Sequence, residues 1–257
     1  MFRLSHPAAL VFMGIMAALV AAEMLWSWRK HKHAYNTKET LANVVILIGF
    51  QAAKVALFGY QLYWSNLAFS IALVPLPQTP LVFVLTFVLA DFIYYWHHRV
   101  MHTVNFFWAF HVVHHSSPWM NLTTSYRLNW FSGIFGVFFY LPLILIGFPP
   151  MFVAASVALG LLYQFFMHTE AVGKLGFLEG IVNTPSAHRV HHASNAQYID
   201  KNYGGVLMLW DRMFGTYIEE EEQPVYGITT GFQGHNPLKL VFHGFVDAVR
   251  GTMKYKG

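Results

Sequence analysis

The sequence predicts an all-α integral membrane protein of four to five transmembrane helices, with a cytoplasmic helical cap that carries most of its histidines. Three observations lead there. Of 257 residues, 56% are hydrophobic and 11% charged, where a soluble domain carries about 25% charged residues. Five apolar stretches approach the roughly 20 residues a spanning helix needs. There are 15 histidines and no cysteines, and nine of the histidines fall into short, repeated spacings at one boundary of the apolar stretches. No linker or low-complexity run divides the chain, so 1–257 reads as a single domain. The net charge of +4 is spread thinly and forms no phosphate-binding stripe, which argues against nucleic acid as a partner. Lack of cysteine removes disulfides, thiolate metal sites and cysteine nucleophiles.

The first apolar stretch, 7–28, contains Ala17, Ala18, Ala21 and Ala22, the small residues of a signal-peptide cleavage region. Only Arg3 precedes it, however, and the basic cluster Arg29, Lys30 and Lys32 follows it, so it reads as an uncleaved anchor. Gln51 and Lys54 interrupt the second stretch, 41–63; Lys54 reads as packed on helix carbonyls or snorkelling. Residues 67–76 are apolar but too short to cross and are expected to pack against or dip into the bilayer. The third span is 80–96. The fourth and fifth, 130–148 and 150–167, form a hairpin turned at Gly147, Phe148, Pro149 and Pro150. Lys and Arg accumulate in cytoplasmic loops, and neither occurs in 64–79 or in the hairpin turn. The N-terminus therefore reads as outside, with a cytoplasmic lobe formed by 98–128 and 168–257. Modest length and bare termini point to a bacterial inner membrane.

The histidines follow the third span. His98 and His102 are spaced i,i+4, which puts both on one face of a continuing helix. His111, His114 and His115 follow as HVVHH, and His188, His191 and His192 repeat that spacing as HRVHH 77 residues later. His168 ends the fifth span. All four groups fall on the side that the charges alone mark as cytoplasmic. Water and headgroups satisfy a lone interfacial histidine, but this repetition points to metal, because one helical turn presents two or three imidazoles without strain. Nine are too many for one ion; shared between two, they give four or five nitrogens each and leave positions open. No carboxylate sits inside any motif, where a zinc hydrolase places its general base. With an aliphatic chain as neighbour, two redox-active metals suit activation of dioxygen against a C–H bond. Iron is favoured, with zinc as a substitute.

Around these ligands, Asp91 lies seven residues before His98 and reads either as an acceptor fixing an imidazole tautomer or as the partner of Arg99 or a tyrosine. Gln164 and Asn202 read as neutral oxygen ligands, water-bridged neighbours or plain hydrogen-bonding groups. His97 lies about 100° around the helix from His98 and reads as supporting. His31, His33, His235 and His243 lack ligand spacing and are expected at the surface or interface, and Glu219 to Glu222 as a solvated run.

These motifs resemble the fatty acid hydroxylase and sterol desaturase superfamily. The stretches DFIYYWHHRVMH (91–102), HHSSPWMNLTTSYR (114–127), LLYQFFMHTE (161–170), NTPSAHRVHH (183–192) and IDKNYGGVLMLWDRMFGTY (199–217) look like its alkylglycerol monooxygenase branch. The resemblance runs from about residue 86 to 242. It implies a di-iron site on His98, His102, His111, His114, His115, His188, His191 and His192, with His168 as an additional histidine, and oxygen-dependent hydroxylation of a lipid. In that branch the ether-linked carbon is hydroxylated, the product collapses to a fatty aldehyde and glycerol, and tetrahydrobiopterin is the reductant. Thr103 departs from the branch, which carries an acid there, a difference that bears on pterin use.

The reading is thus a di-iron monooxygenase that takes a membrane lipid and O2. Its electrons come from an external donor: a ferredoxin, a b-type cytochrome or a reduced pterin. A desaturase with the same metals is the enzymatic alternative, separated by its product. A metal-binding transporter or sensor is the non-enzymatic one; a transporter places its ligands near the bilayer midplane, and these histidines lie at one boundary.

Overall fold

The computed structural model describes residues 6–252, and Arg3 lies outside them. The described residues contain nine α-helices and two 3-10 turns, with no strand among them: α1 (His6–Arg29), α2 (Thr37–Ser70), α3 (Pro80–Thr103), α4 (Asn105–His115), α5 (Ser132–Ile146), α6 (Pro150–Phe165), α7 (Pro185–His191), α8 (Leu209–Phe214) and α9 (Pro237–Val249). The chain is an all-helical membrane protein with three helices long and apolar enough to cross a bilayer, α1 over Leu10–Arg29, α2 and α3. α5 and α6 are apolar but shorter, at 15 and 16 residues. At 1.5 Å per residue they reach about 22–24 Å, short of a hydrocarbon core of about 30 Å.

Several helix starts follow from their caps. Thr79, Thr184 and Asn236 accept the amides of Val82, Ala187 and Lys239, and a proline follows each cap directly, where its missing N–H costs nothing and its φ suits a helix. α2 runs past 41–63: it starts after the Asn36 cap and continues to Ser70. Residues 67–76 are therefore no separate apolar element. Their first part is the last turn of α2, and the rest pairs with the hairpin, Leu73 N–H donating to Leu145 O (2.8 Å) and Leu76 N–H to Gly147 O (2.9 Å). Gly147 turns there with φ 128°, and a Cβ would lie 1.9 Å from Val74 O, so only glycine fits.

α5 packs on α2 and α3, and α6 on α3, around a core that includes Ala90, Tyr140, Leu143, Ile144, Phe148 and Val153. Beyond this bundle, α4 packs on α3 and α9. α1 touches little of the bundle; its link to the rest is buried Glu23, which accepts the Leu122 amide (2.8 Å) and the hydroxyls of Tyr35 and Thr169. Lys54 and Gln51 are exposed on α2.

Candidate metal centre

α3 carries His98 and His102 as one continuous helix up to Thr103, and the break at Val104 turns the chain into α4. The nine motif histidines converge in two groups whose ligand atoms lie within 4.8 Å of one another: His98, His102, His111, His115 and His191 in one, and His114, His168, His188 and His192 in the other. Each HxxHH motif is split between them. α4 gives its i,i+4 pair His111 and His115 to the first group and His114 to the second. α7 and its C-cap give His191 to the first and the i,i+4 pair His188 and His192 to the second. The two groups meet where the rings of His115 and His192 stack at 4.4 Å.

The orientation of the rings comes from backbone carbonyls. His98 Nδ1 lies 2.8 Å from Tyr203 O, His168 Nδ1 2.7 Å from Gln164 O and His191 Nδ1 2.9 Å from Lys201 O. A carbonyl only accepts, so each Nδ1 carries the proton and each Nε2 lone pair points inward. Inside, Nε2 meets Nε2: His98 to His111 at 3.0 Å, His115 to His111 at 3.1 Å and His188 to His168 at 3.0 Å. His102, His191 and His192 each leave a buried Nε2 with no hydrogen-bond partner. Burial first, then neighbouring imidazoles, holds His111, His114, His115, His188 and His192 well below the ordinary histidine range. Burial also pushes His168 down to about 3 and His191 to about 4. Converging lone pairs on neutral, buried imidazoles are costly unless a cation accepts them, so the residues present fit two metal ions. No Asp or Glu belongs to either group among the described residues.

None of the three supporting candidates directs its side chain at an imidazole. Asp91 holds no imidazole: it accepts the amides of Val206 (2.8 Å) and Leu207 (3.1 Å) and the Trp210 indole N–H (2.9 Å). Seven residues back is about 10 Å along a helix axis, beyond an imidazole's reach. Gln164 accepts the Tyr94 hydroxyl through its side chain (2.6 Å), and its backbone oxygen, not its amide, meets His168. Asn202 donates to Ala187 O and Ile218 O and accepts the Ile218 amide, so it ties the 199–218 loop to α7 as a plain hydrogen-bonding group. His97 stacks on Phe139 at 4.2 Å, away from both groups. His243, expected at the surface, is buried at 6% exposure, because α9 packs closely on α4: a Cβ at Gly244 would lie 2.8 Å from Ala109 O.

Other positioning residues gave no local signal in the sequence. Asp211 accepts the amides of Tyr203 and Gly204, both at 2.7 Å, and the Thr216 hydroxyl. The loop it holds has left-handed backbone at Asp200 and Asn202, and that path aims the 201 and 203 carbonyls at His191 and His98. Asn183 donates to Gly204 O (2.8 Å) on the other side of the loop. Arg127 and Glu39 form a fully buried ion pair at 2.5 Å, and Arg127 also donates to Ser116 Oγ (2.8 Å), bracing the end of α4. Arg189 pairs with Glu220 and donates to the carbonyls of Thr169 and Val172, joining α7 to the segment after His168.

This fold and site define a membrane protein with a paired, all-histidine metal centre. The family model described as Fatty acid hydroxylase matches residues 83–216, just over half of the sequence and all nine histidines. The chain belongs to that family. It is 40% identical to an alkylglycerol monooxygenase of Xenopus tropicalis over 240 residues, covering 90% of this chain and 52% of that protein. It is 44% identical to one from Homo sapiens over 190 residues, 74% of this chain and 42% of that protein. An ornithine lipid hydroxylase of Rhizobium tropici is 33% identical over 147 residues, 54% of this chain and 43% of that protein. The chain thus spans about half the length of the curated relatives it matches. No solved structure matches the chain.

Proposed function

We propose that the chain is an O2-dependent lipid monooxygenase that hydroxylates a C–H bond of a membrane lipid chain, with the ether-linked carbon of an alkylglycerol as its preferred target. The observation that carries this is the pair of buried histidine groups with inward lone pairs and no carboxylate among them. The nine histidines are the ligands of two iron ions, and zinc is the expected substitute. Two redox-active ions held there supply activation of dioxygen for attack on a C–H bond. The chain's own residues fix the imidazoles through the Tyr203, Gln164 and Lys201 carbonyls and keep them neutral by burial.

A small cavity, about the volume of one water molecule, lies between α3, α5 and α6 and is lined by Phe87, Ala90, Tyr94, Tyr140 and Gly160. Tyr94 stands 5.3 Å from the His98 ring, centre to centre. The lipid enters laterally from the bilayer. The relatives' names favour the alkylglycerol class. Electrons come from an external ferredoxin, b-type cytochrome or reduced pterin. The α5–α6 hairpin completes a domain of four to five spans over 1–257, and the lobe at 98–128 and 168–257 faces the cytoplasm, as the basic residues after α1 favour.

The test is metal content per chain after gentle purification from iron-supplied cells, beside a His191→Ala/His192→Ala variant, followed by a lipid screen with labelled dioxygen. About two irons per chain, lost in the variant, with labelled oxygen in the product, are expected. Folded protein without stoichiometric metal overturns the reading. A new double bond in place of added oxygen replaces hydroxylation by desaturation.

A further inference from the structure

The lobe descends along α3 toward the bilayer. Asp91 holds the amides of Val206 and Leu207 and the indole of Trp210, so this part of the lobe lies at the level of residue 91. That is about 10 Å along the helix axis from His98, on the side of the apolar span. From there α8 runs beside α3. Its Trp210 and Phe214 face α3, with Trp210 5.0 Å from Phe92 and Phe214 4.9 Å from Trp96, ring to ring.

The other face of α8 is exposed among the described residues. Leu209 and Met213, again i,i+4, are 41% and 68% exposed. Met208 N–H donates to Ile181 O (3.0 Å), which places the 175–181 segment alongside, and there Phe177 and Ile181 are 84% and 41% exposed. On α3, Leu85 and Leu89 share the helical stripe of Phe92 and Trp96 by their spacing and are 47% and 36% exposed. Cationic groups border it: Arg99 over the Trp96 ring at 5.4 Å, exposed Arg212, and Lys174 in a surface pair with Glu219.

We propose that this face, Phe177 and Ile181 with Leu209 and Met213, lies in the interfacial layer of the bilayer, so that the lobe is partly immersed. The occupant is a lipid surface with anionic headgroups. Three features select it: continuity with the lipid-facing side of α3, tryptophans at the boundary level, and bordering cations of the kind found on interfacial elements.

The sequence has no cysteine, so single-cysteine variants give unique labels. Phe177→Cys and Met213→Cys carry a nitroxide in nanodiscs of phosphatidylcholine and phosphatidylglycerol. Val55→Cys, on the 77% exposed Val55 of α2, is the lipid reference, and Ala196→Cys on the exposed lobe surface is the aqueous one. Collision of the label with oxygen and with a water-soluble nickel complex is measured at each site. The expected result is an oxygen-to-nickel ratio at 177 and 213 severalfold above that at 196 and approaching that at 55. A ratio equal to that at 196 overturns the proposal. Protection from both reagents also overturns it, because a protein partner or a second copy then covers the face. The measurement needs neither turnover nor bound metal, so its outcome is independent of the proposed chemistry.

Discussion

At the residue scale, the clustered histidines were legible because their spacing is local: repeated i,i+3 and i,i+4 intervals bring several imidazoles within one or two helical turns. Their supports were not, because a backbone carbonyl has no sequence signature and Asp211 is distant in sequence from the imidazole it serves. Asp211 acts through Tyr203 and Gly204, so Asp211→Ala is expected to free the 203 carbonyl and lower metal affinity roughly tenfold or more. Competition with a chelator measures this, and Asp211→Asn recovers part of the loss. Gly205 shows another hidden constraint. A Cβ there would lie 2.8 Å from the Tyr94 ring and 3.0 Å from Asp91 Oδ1, both pinned by their own bonds. Gly205→Ala is expected to destabilise by about 1–3 kcal/mol, read as a lowered midpoint in thermal unfolding.

At the element scale, the caps made helix starts readable, while lengths were misjudged where bilayer-sized windows were sought. α2 passes through Trp64, Ser65 and Asn66, which break the apolar run but not the helix. α7 depends on its first turn: Thr184 caps it, and Glu179 accepts from both Thr184 (2.7 Å) and Ser186 (2.8 Å). Thr184→Ala is expected to cost about 1 kcal/mol and to reduce metal retention at the second group more than at the first, since α7 contributes His188 and His192 there. Separate quantitation of the two ions during chelation tests this. The pairing of four histidine segments into two groups was not legible, because spacing within a helix does not say which ring faces which neighbour.

At the scale of the whole molecule, the lobe and the bundle are joined by buried polar links. Glu23 ties α1 to the turn at Leu122 and to the residue after His168. Glu23→Ala leaves the Leu122 amide without its acceptor, at a cost of about 1–3 kcal/mol, and limited proteolysis is expected to cut earlier in the α1–α2 connection. Removing metal should weaken the lobe as a unit. Ligands that bind only the folded state stabilise it by mass action, so chelation is expected to lower the unfolding midpoint and iron to restore it. The all-helical membrane character was legible from composition. The tilt of the lobe along α3 was not, because it depends on Asp91 meeting backbone amides more than 110 positions away.

The interleaving of α4 and α7 has a consequence for loading. His114 and His115 are chain neighbours, as are His191 and His192, yet each member of a pair belongs to a different group. Filling one group therefore orders both helices and pre-arranges most of the other, which amounts to a positive coupling free energy between two sites a peptide unit apart. Under metal titration the half-filled species should be scarce and the uptake curve steeper than independent sites allow, so the centre loads in an almost all-or-none fashion.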